Sequence, residues 1–255
     1  MMNSLFFKIF NVLINLIDYS NKKKILNFFK KKLKNKPLNI IDIGAHKGET
    51  IDFFLNNFLI NRILAFEPNE ELYNQLRKNN KYLNKNISIY NFGVGKKNEI
   101  KYLNIMSDSA SSTFHKINQN TDYFKKKKKK IFFFEQVQKK IISFFDQNKE
   151  FMKKTQKVTV INLSKIILDN KIKEIDILKI DTEGFEYNVL KGIENFDFIK
   201  IKYIYIEHHF DLMINKGYKL SDINMLLNKN NFYKKYKLKM KFRKSFEYIY
   251  ENEKK

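Results

Sequence analysis

The apolar positions of this chain change period several times between its ends. Leu5, Ile9, Leu13, Leu16 and Ile17 recur at helical spacing and predict a leading helix in Met1 to Ser20. Helical character runs to about Lys34, and Pro37 marks the turn into a nearly pure apolar strand, Leu38 to Ile43. Helical and strand patterns then alternate. Helices are predicted over Thr50 to Asn57 and Asn69 to Asn80, strands over Ile63 to Glu67 and Ile87 to Asn91. Glu99 to Ile105 reads as a local strand, followed by a serine-rich loop, Ser107 to Thr113. Lys116 to Lys157 has no clear strand order and one predicted helix, Phe133 to Phe151. Order resumes with a strand at Val158 to Ile161, a helix at Leu163 to Asp169 and apolar strands at Ile175 to Ile180 and Ile201 to Ile206. A helix over Ser221 to Lys229 precedes Tyr233 to Phe242 and Ser245 to Tyr250, which alternate like a closing antiparallel pair.

Such alternation predicts an α/β fold with a doubly wound, mostly parallel sheet. Residues 37–255 form one Rossmann-like domain in this reading, preceded by a helical segment, 1–36, and interrupted by an insertion at about 116–157. A loop of that length in a compact domain serves as a lid, a substrate platform or a disordered segment.

The first βαβ unit carries the clearest chemistry. Asn39 to Gly48 reads Asn-Ile-Ile-Asp-Ile-Gly-Ala-His-Lys-Gly, and Ile63 to Pro68 reads Ile-Leu-Ala-Phe-Glu-Pro. Parallel neighbouring strands bring the glycine loop and Glu67 to one carboxyl edge, where open α/β sheets bind ligands. Glu67 follows Gly44 by 23 residues, close to the separation of about 20 for a ribose-binding acid. The spacing Asp42-x-Gly44-x-x-x-Gly48 departs from the G-x-G-x-x-G of dinucleotide sites, and His46 stands where a second glycine would be. An acid before the loop repels a pyrophosphate and suits the amino group of a methionine moiety. The pattern therefore favours S-adenosylmethionine over NAD.

Composition adjusts this picture in two places. The absence of cysteine excludes disulfides, thiolate-bound zinc and a cysteine nucleophile, and fits a cytoplasmic protein. The formal net charge of +23 would suit nucleic acid or an anionic membrane. Lysine, asparagine, isoleucine and phenylalanine are inflated together, however, as an AT-rich coding sequence would produce. The run Lys125 to Lys130 then reads as a solvated loop. The leading helix is too interrupted to span a bilayer and lacks a signal-peptide cleavage pattern, although Lys22 to Lys24 would help it touch a membrane surface.

Further strand ends add carboxylates: Asp181 with Glu183 and Glu186, then Glu207 beside His208 and His209. Asp-Ile-Gly-Ala-His-Lys-Gly, Ala-Phe-Glu-Pro, Asn-Phe-Gly-Val-Gly, the serine loop at Ser109 to Ser112, Leu-Lys-Ile-Asp-Thr-Glu-Gly-Phe-Glu with Val189 to Gly192, and Ile-Glu-His-His together resemble the FkbM family of S-adenosylmethionine-dependent methyltransferases. The resemblance covers Leu38 to His209 and is most specific over Leu178 to Gly192. It implies the class I methyltransferase sheet of seven strands, with a last antiparallel strand inserted beside its neighbours, and O-methylation of a sugar or natural product. It implies cofactor contacts at Asp42, Gly44, Ala45, His46 and Gly48 around the methionine part, Glu67 and Pro68 at the ribose, and Asn91 with Gly93 near the adenine. Asp181 and Glu183 would border the transferred methyl. Two departures stand out: His46 replaces the family's asparagine, and Ser164 replaces an acid after Leu163.

Methyl transfer needs an acceptor oxygen held in line and relieved of its proton. Asp181, Glu183 and His208 are the candidates for that task, set against helix capping for Asp181 and backbone satisfaction for a strand-end histidine. No H-x-x-H or clustered ligand spacing demands a metal. With Pro37 and Pro68 its only prolines, the chain has no N-P-P-Y motif of N-methyltransferases, and oxygen is the expected acceptor. An RNA methyltransferase and a catalytically silent scaffold for glycan assembly are the alternatives.

Overall fold

In the computed structural model, residues 20–33, 35–82, 86–106, 112–122, 124–126, 152–210, 212–240 and 245–255 are described. The helices predicted over Met1 to Ser20 and Phe133 to Phe151, Ser109 to Ser111 of the serine loop and most of the lysine run lie outside these residues, apart from Ser20 itself.

The described chain opens with helix α1, residues 20–33. There follow β1 Leu38–Ile43, α2 Glu49–Asn57, β2 Ile60–Phe66, α3 Glu70–Arg77, β3 Ile87–Tyr90, β4 Gly93–Gly95 and β5 Glu99–Met106. After the insertion come β6 Met152–Asn162, α4 Leu163–Asp169, β7 Ile175–Ile180, α5 Glu186–Leu190, α6 Asn195–Phe198 and β8 Ile201–His209. The chain closes with α7 Leu220–Lys229, β9 Phe232–Lys239 and β10 Ser245–Asn252. Seven strands form one sheet in the order β3-β2-β1-β7-β8-β10-β9. β10 runs antiparallel between β8 and β9 and the other neighbouring pairs are parallel, which is the sheet the resemblance implies.

Strand alternation divides the core between the two faces. Ile41, Ile43, Leu64, Phe66, Leu178, Ile180, Ile204 and Ile206 pack on one side, with α4, α5 and α7. Ile40, Ile63, Ala65, Ile177, Tyr203 and Tyr205 pack on the other, where Ile25, Phe29 and Leu33 of α1 meet Ile51 and Phe54 of α2. Phe29 sets its ring against Phe54, Tyr203 and Tyr205 with centroids 5.9 to 6.1 Å apart, which fixes α1 on this face.

Two strand boundaries are corrected, and one strand is added. β6 starts at Met152, so Met152 to Lys157 belongs to a strand and not to the insertion. Its polar sequence hides it, and cross-strand pairing with β5, from Glu99↔Val160 to Met106↔Met152, supplies the order that periodicity lacks. Gly93–Gly95 forms β4 of a second, three-stranded sheet, β4-β6-β5, a strand that the sequence pattern did not predict. A Cβ at Gly93 or Gly95 would stand 2.8 Å from Phe114 or Val160, so only glycine permits this approach. β8 continues past Ile206 to His209, because β10 pairs with it through Ser245↔His209.

Candidate active site

A cavity of about 510 Å³ runs along the carboxyl edge of the large sheet, on the α1 and α2 face. Its first end is the loop after β1. Gly44 and Gly48 take φ +89° and +91° and His46 takes φ +50°, the left-handed region that favours glycine. A Cβ on Gly44 would lie 1.9 Å from the Asp181 carbonyl oxygen, so β1 and β7 can close up only with glycine there. Gly44 and Ala45 donate their N–H groups to Phe66 O, keeping the loop over the end of β2.

Glu67 ties this corner together. Its Oε2 accepts from the His46 N–H at 2.8 Å and its Oε1 from the Asn69 N–H at 2.8 Å. Burial nevertheless pushes its carboxyl up to about 7. Asn91 donates its amide to Glu67 O and Pro68 O, at 3.0 and 3.3 Å, and so fastens the loop after β2. Asp42 is fully buried, among the described residues neither of its oxygens has a hydrogen-bond partner, and burial pushes it up to about 7. Burial alone would pull the His46 imidazole down; Glu49, 3.1 Å from Nδ1, raises it instead.

The second end is built from β7, β8 and β10. Strand register sets Asp42, Lys179 and Tyr205 side by side in one row, because Asp42 pairs with Lys179 and Lys179 with Tyr205. The Lys179 ammonium is buried, 3.3 Å from Asp181 Oδ2 and 4.4 Å from the centroid of the Tyr205 ring. Burial would lower its pKa, but Asp181, Glu207, Glu247 and Asp42 raise it above the ordinary lysine value. Burial likewise pushes Asp181 up, yet Lys179 and His209 hold it below the usual carboxylate range. Glu207 is pushed up to about 7 by burial and by the Asp181 charge. The two acids are thus pushed apart, the ionised form being favoured at Asp181 and the protonated form at Glu207. Glu207 stands opposite Glu247, and the crowding is relieved by the Ser245 hydroxyl donating to Glu207 at 2.8 Å and the Tyr205 hydroxyl donating to Glu247 at 2.5 Å.

The turn after β7 presents Glu183 with φ +49°, followed by Gly184 at φ +98°. Glu186, named with Asp181 and Glu183 as a strand-end acid, is fully buried. Its Oε1 accepts from Gly184 N, Thr182 N and the Thr182 hydroxyl, and its Oε2 from the Tyr218 hydroxyl, so it shapes the turn.

Gly44, Ala45, His46, Glu67, Pro68, Gly93, Asp181 and Glu183 line the cavity. Asp42, Gly48 and Asn91 stand behind that lining, where Gly48 precedes α2 as its N-cap. His208 is not brought to the acids. It is buried on the opposite face of β8, with its ring 4.9 Å from Phe210 and 5.8 Å from Tyr218. His209, one residue on, faces the acids instead, 3.5 Å from Glu183 and 3.6 Å from Glu207. Asp181, Glu183 and His209 bring their potential ligand atoms within 4.8 Å of one another, a grouping that sequence spacing did not disclose. Glu207, named from the sequence as a strand-end acid, also lines the cavity, as do Lys179, Tyr205 and Glu247, which the sequence did not single out; alternation along β7 and β8 places Lys179 and Tyr205, and the pairing of β10 with β8 sets Glu247 opposite Glu207. Ser164, the second departure, uses its Oγ to accept from Glu194 N and is part of the scaffold.

Residues 42–234 match the Methyltransferase FkbM domain family. No curated protein matches the chain. Among solved structures, methyltransferase FkbM from Methylobacillus flagellatus KT is similar with a TM-score of 0.51 and 14% identity, over 84% of this chain and 44% of that one. The chain therefore spans less than half the length of that protein. Magnesium protoporphyrin IX methyltransferase from Synechocystis PCC 6803 with bound SAM is similar with a TM-score of 0.44 and 9% identity, over 93% of this chain and 80% of that one. TrmK from M. capricolum, in complex with S-adenosyl-homocysteine, gives a TM-score of 0.44 and 14% identity, over 89% and 67% of the two chains.

Proposed function

The chain belongs to the FkbM family of S-adenosylmethionine-dependent methyltransferases, and from that premise we propose that it methylates a hydroxyl oxygen of a carbohydrate or natural-product-like acceptor. The residues present fit the cofactor. Asp42, outside the cavity lining, keeps a buried carboxyl with neither oxygen bonded among the described residues, a charge that would favour a cationic methionine end through space. Each Glu67 oxygen accepts one N–H and retains a lone pair for a ribose hydroxyl. Phe92, Leu103 and Phe114 give the same end an apolar wall suited to an adenine ring, beside Gly93. The cavity, about 510 Å³, falls within the range of small-molecule sites.

S-adenosylmethionine, when bound, supplies an electrophilic methyl carbon on a sulfonium. The chain's own part is to hold the acceptor hydroxyl in line and take its proton. Asp181, ionised beside Lys179, accepts a hydrogen bond from that hydroxyl and orients it, while Glu183 borders it. The proton passes to Glu207 in its ionised form, since burial raises this carboxyl to about 7, close to the operating pH that general base catalysis worth about 10²- to 10⁴-fold calls for. The task considered for His208 falls to Glu207 and His209, which share the acids' face.

The single observation behind this reading is that the carboxylate pair opens into the same cavity as the glycine loop. Calorimetric titration with S-adenosylhomocysteine, with NAD as control, followed by labelled methyl transfer to hydroxylated glycans, tests it. Binding of the first ligand alone and transfer that falls at least 10²-fold in Asp181→Asn support it. Glu67→Ala is expected to abolish the binding. Binding of neither ligand overturns the reading and leaves a silent scaffold in its place. Among the described residues no helix is long and apolar enough to cross a membrane.

A further inference from the structure

We infer that Asn21 on α1 binds the acceptor, its side-chain amide hydrogen-bonding hydroxyls of a neutral polyol at the end of the cavity away from the glycine loop; this rests on the proposed transfer to a hydroxyl acceptor. Asn21 is 4% exposed and lines the cavity beside Lys22 and Ile25. Among the described residues its side chain makes one hydrogen bond, from Nδ2 to the Met240 sulfur at 3.8 Å. A thioether is a weak acceptor, and an amide has two donors and a carbonyl with two lone pairs. A buried amide with so few partners is unusual in a folded protein and calls for a ligand.

Its place in the fold suggests which ligand. β9 runs parallel to β8 two places across the sheet, so Met240, just beyond β9, lies at the same edge as Glu207. Asn21 therefore reaches the acceptor end, over the strands that carry Asp181 and Glu207. Its position does not drift, since Ile25, Phe29 and Leu33 bury on the sheet and Lys32 pairs with Glu251 at 3.0 Å. α1 also precedes the family-matched residues 42–234, and Glu247 follows them. The cofactor end is thus built wholly within the family domain, while the acceptor end draws on residues outside it. A neutral amide, offering donor and acceptor together, recognises a hydroxyl pair, whereas a phosphate would call for cationic donors.

The test uses the full chain saturated with S-adenosylhomocysteine and a panel of methyl hexopyranosides, read by saturation-transfer NMR, with labelled methyl transfer to any sugar bound. Asn21→Leu is expected to leave the Kd for S-adenosylhomocysteine within twofold, to weaken the sugar signal and to lower kcat/KM about tenfold through KM. Asn21→Asp, nearly isosteric, guards against misfolding and must weaken sugar binding as well. Sugar affinity unchanged in both variants, with cofactor binding intact, overturns the inference alone. A wild-type complex that binds none of the sugars also overturns it. A wild-type chain that does not bind S-adenosylhomocysteine overturns instead the function on which it rests.

Discussion

Asp42 is a buried carboxyl that would couple cofactor binding to pH. Burial raises it to about 7 from an ordinary 3.8, so the ligand-free fold binds its proton more tightly than the unfolded chain does. The sign follows: Asp42's contribution to stability is complete below pH 3.8 and is lost as pH rises through 7. A cationic methionine end reverses the preference, since it attracts the ionised form and releases the proton on binding. Affinity for S-adenosylhomocysteine should therefore fall from pH 8 to pH 6, by at most about tenfold per unit. Calorimetry in buffers of different ionisation enthalpy would register the released proton. Asp42→Asn should flatten the profile, and an unchanged slope would place the titrating group elsewhere, with Glu67 next in line. Gly44 and Glu67 were legible as cavity residues because each sits inside a contiguous motif next to a strand end. Lys179, Glu247 and Asn21 were not, because their places arise from which elements are neighbours and which face each residue takes; Glu207 and His209 were read as strand-end groups without their partners. His208 and His209 differ by one position and point to opposite sides, and the sequence offers no way to choose between them before β8 is placed.

At the scale of elements, the strongly patterned segments were legible to the residue. Leu38–Ile43, Leu163–Asp169 and Ile175–Ile180 begin and end where periodicity puts them. β4 and the first half of β6 escaped, since one is only Gly-Val-Gly and the other a lysine-rich stretch held by its partner β5. One helix start, that of α3, was readable from its cap. Asn69 precedes α3 and its side chain accepts from Glu71 N at 3.0 Å, while its own N–H holds Glu67. The two functions are separable, because only the first uses the side chain. Asn69→Ala should destabilise the protein by about 1 kcal/mol and lower Tm by about 2 to 4 °C. Cofactor affinity should stay within twofold, since the Asn69 N–H that steadies Glu67 is retained. A large loss of affinity in this variant would show that α3 itself, and not the loop backbone, positions Glu67.

The whole molecule sets a strongly basic chain around an acidic cavity. The net charge is +23, yet the cavity lining contains Glu49, Glu67, Asp181, Glu183, Glu207 and Glu247 against Lys22 and Lys179 among the described residues. Lys179 is committed to Asp181 and the face of Tyr205, so its charge is turned inward and offers little to a polyanion. Surface charge of this size attracts nucleic acid without regard to sequence, through counterion release that collapses as salt rises. The two fields therefore predict different salt responses. RNA should bind at low ionic strength and lose about 10³- to 10⁵-fold in affinity between 50 and 200 mM salt, the behaviour of a protein making several phosphate contacts. Methyl transfer to a neutral glycan should change little over the same range, because neither partner in that encounter is a polyanion and contacts inside the cavity are screened less than surface ones. Measuring both on one preparation separates an incidental basic surface from a substrate site. If methyl transfer to RNA were observed, and fell along the same steep salt curve as RNA binding, the acceptor would be nucleic acid and the acidic cavity would have to admit a base with its phosphates left outside.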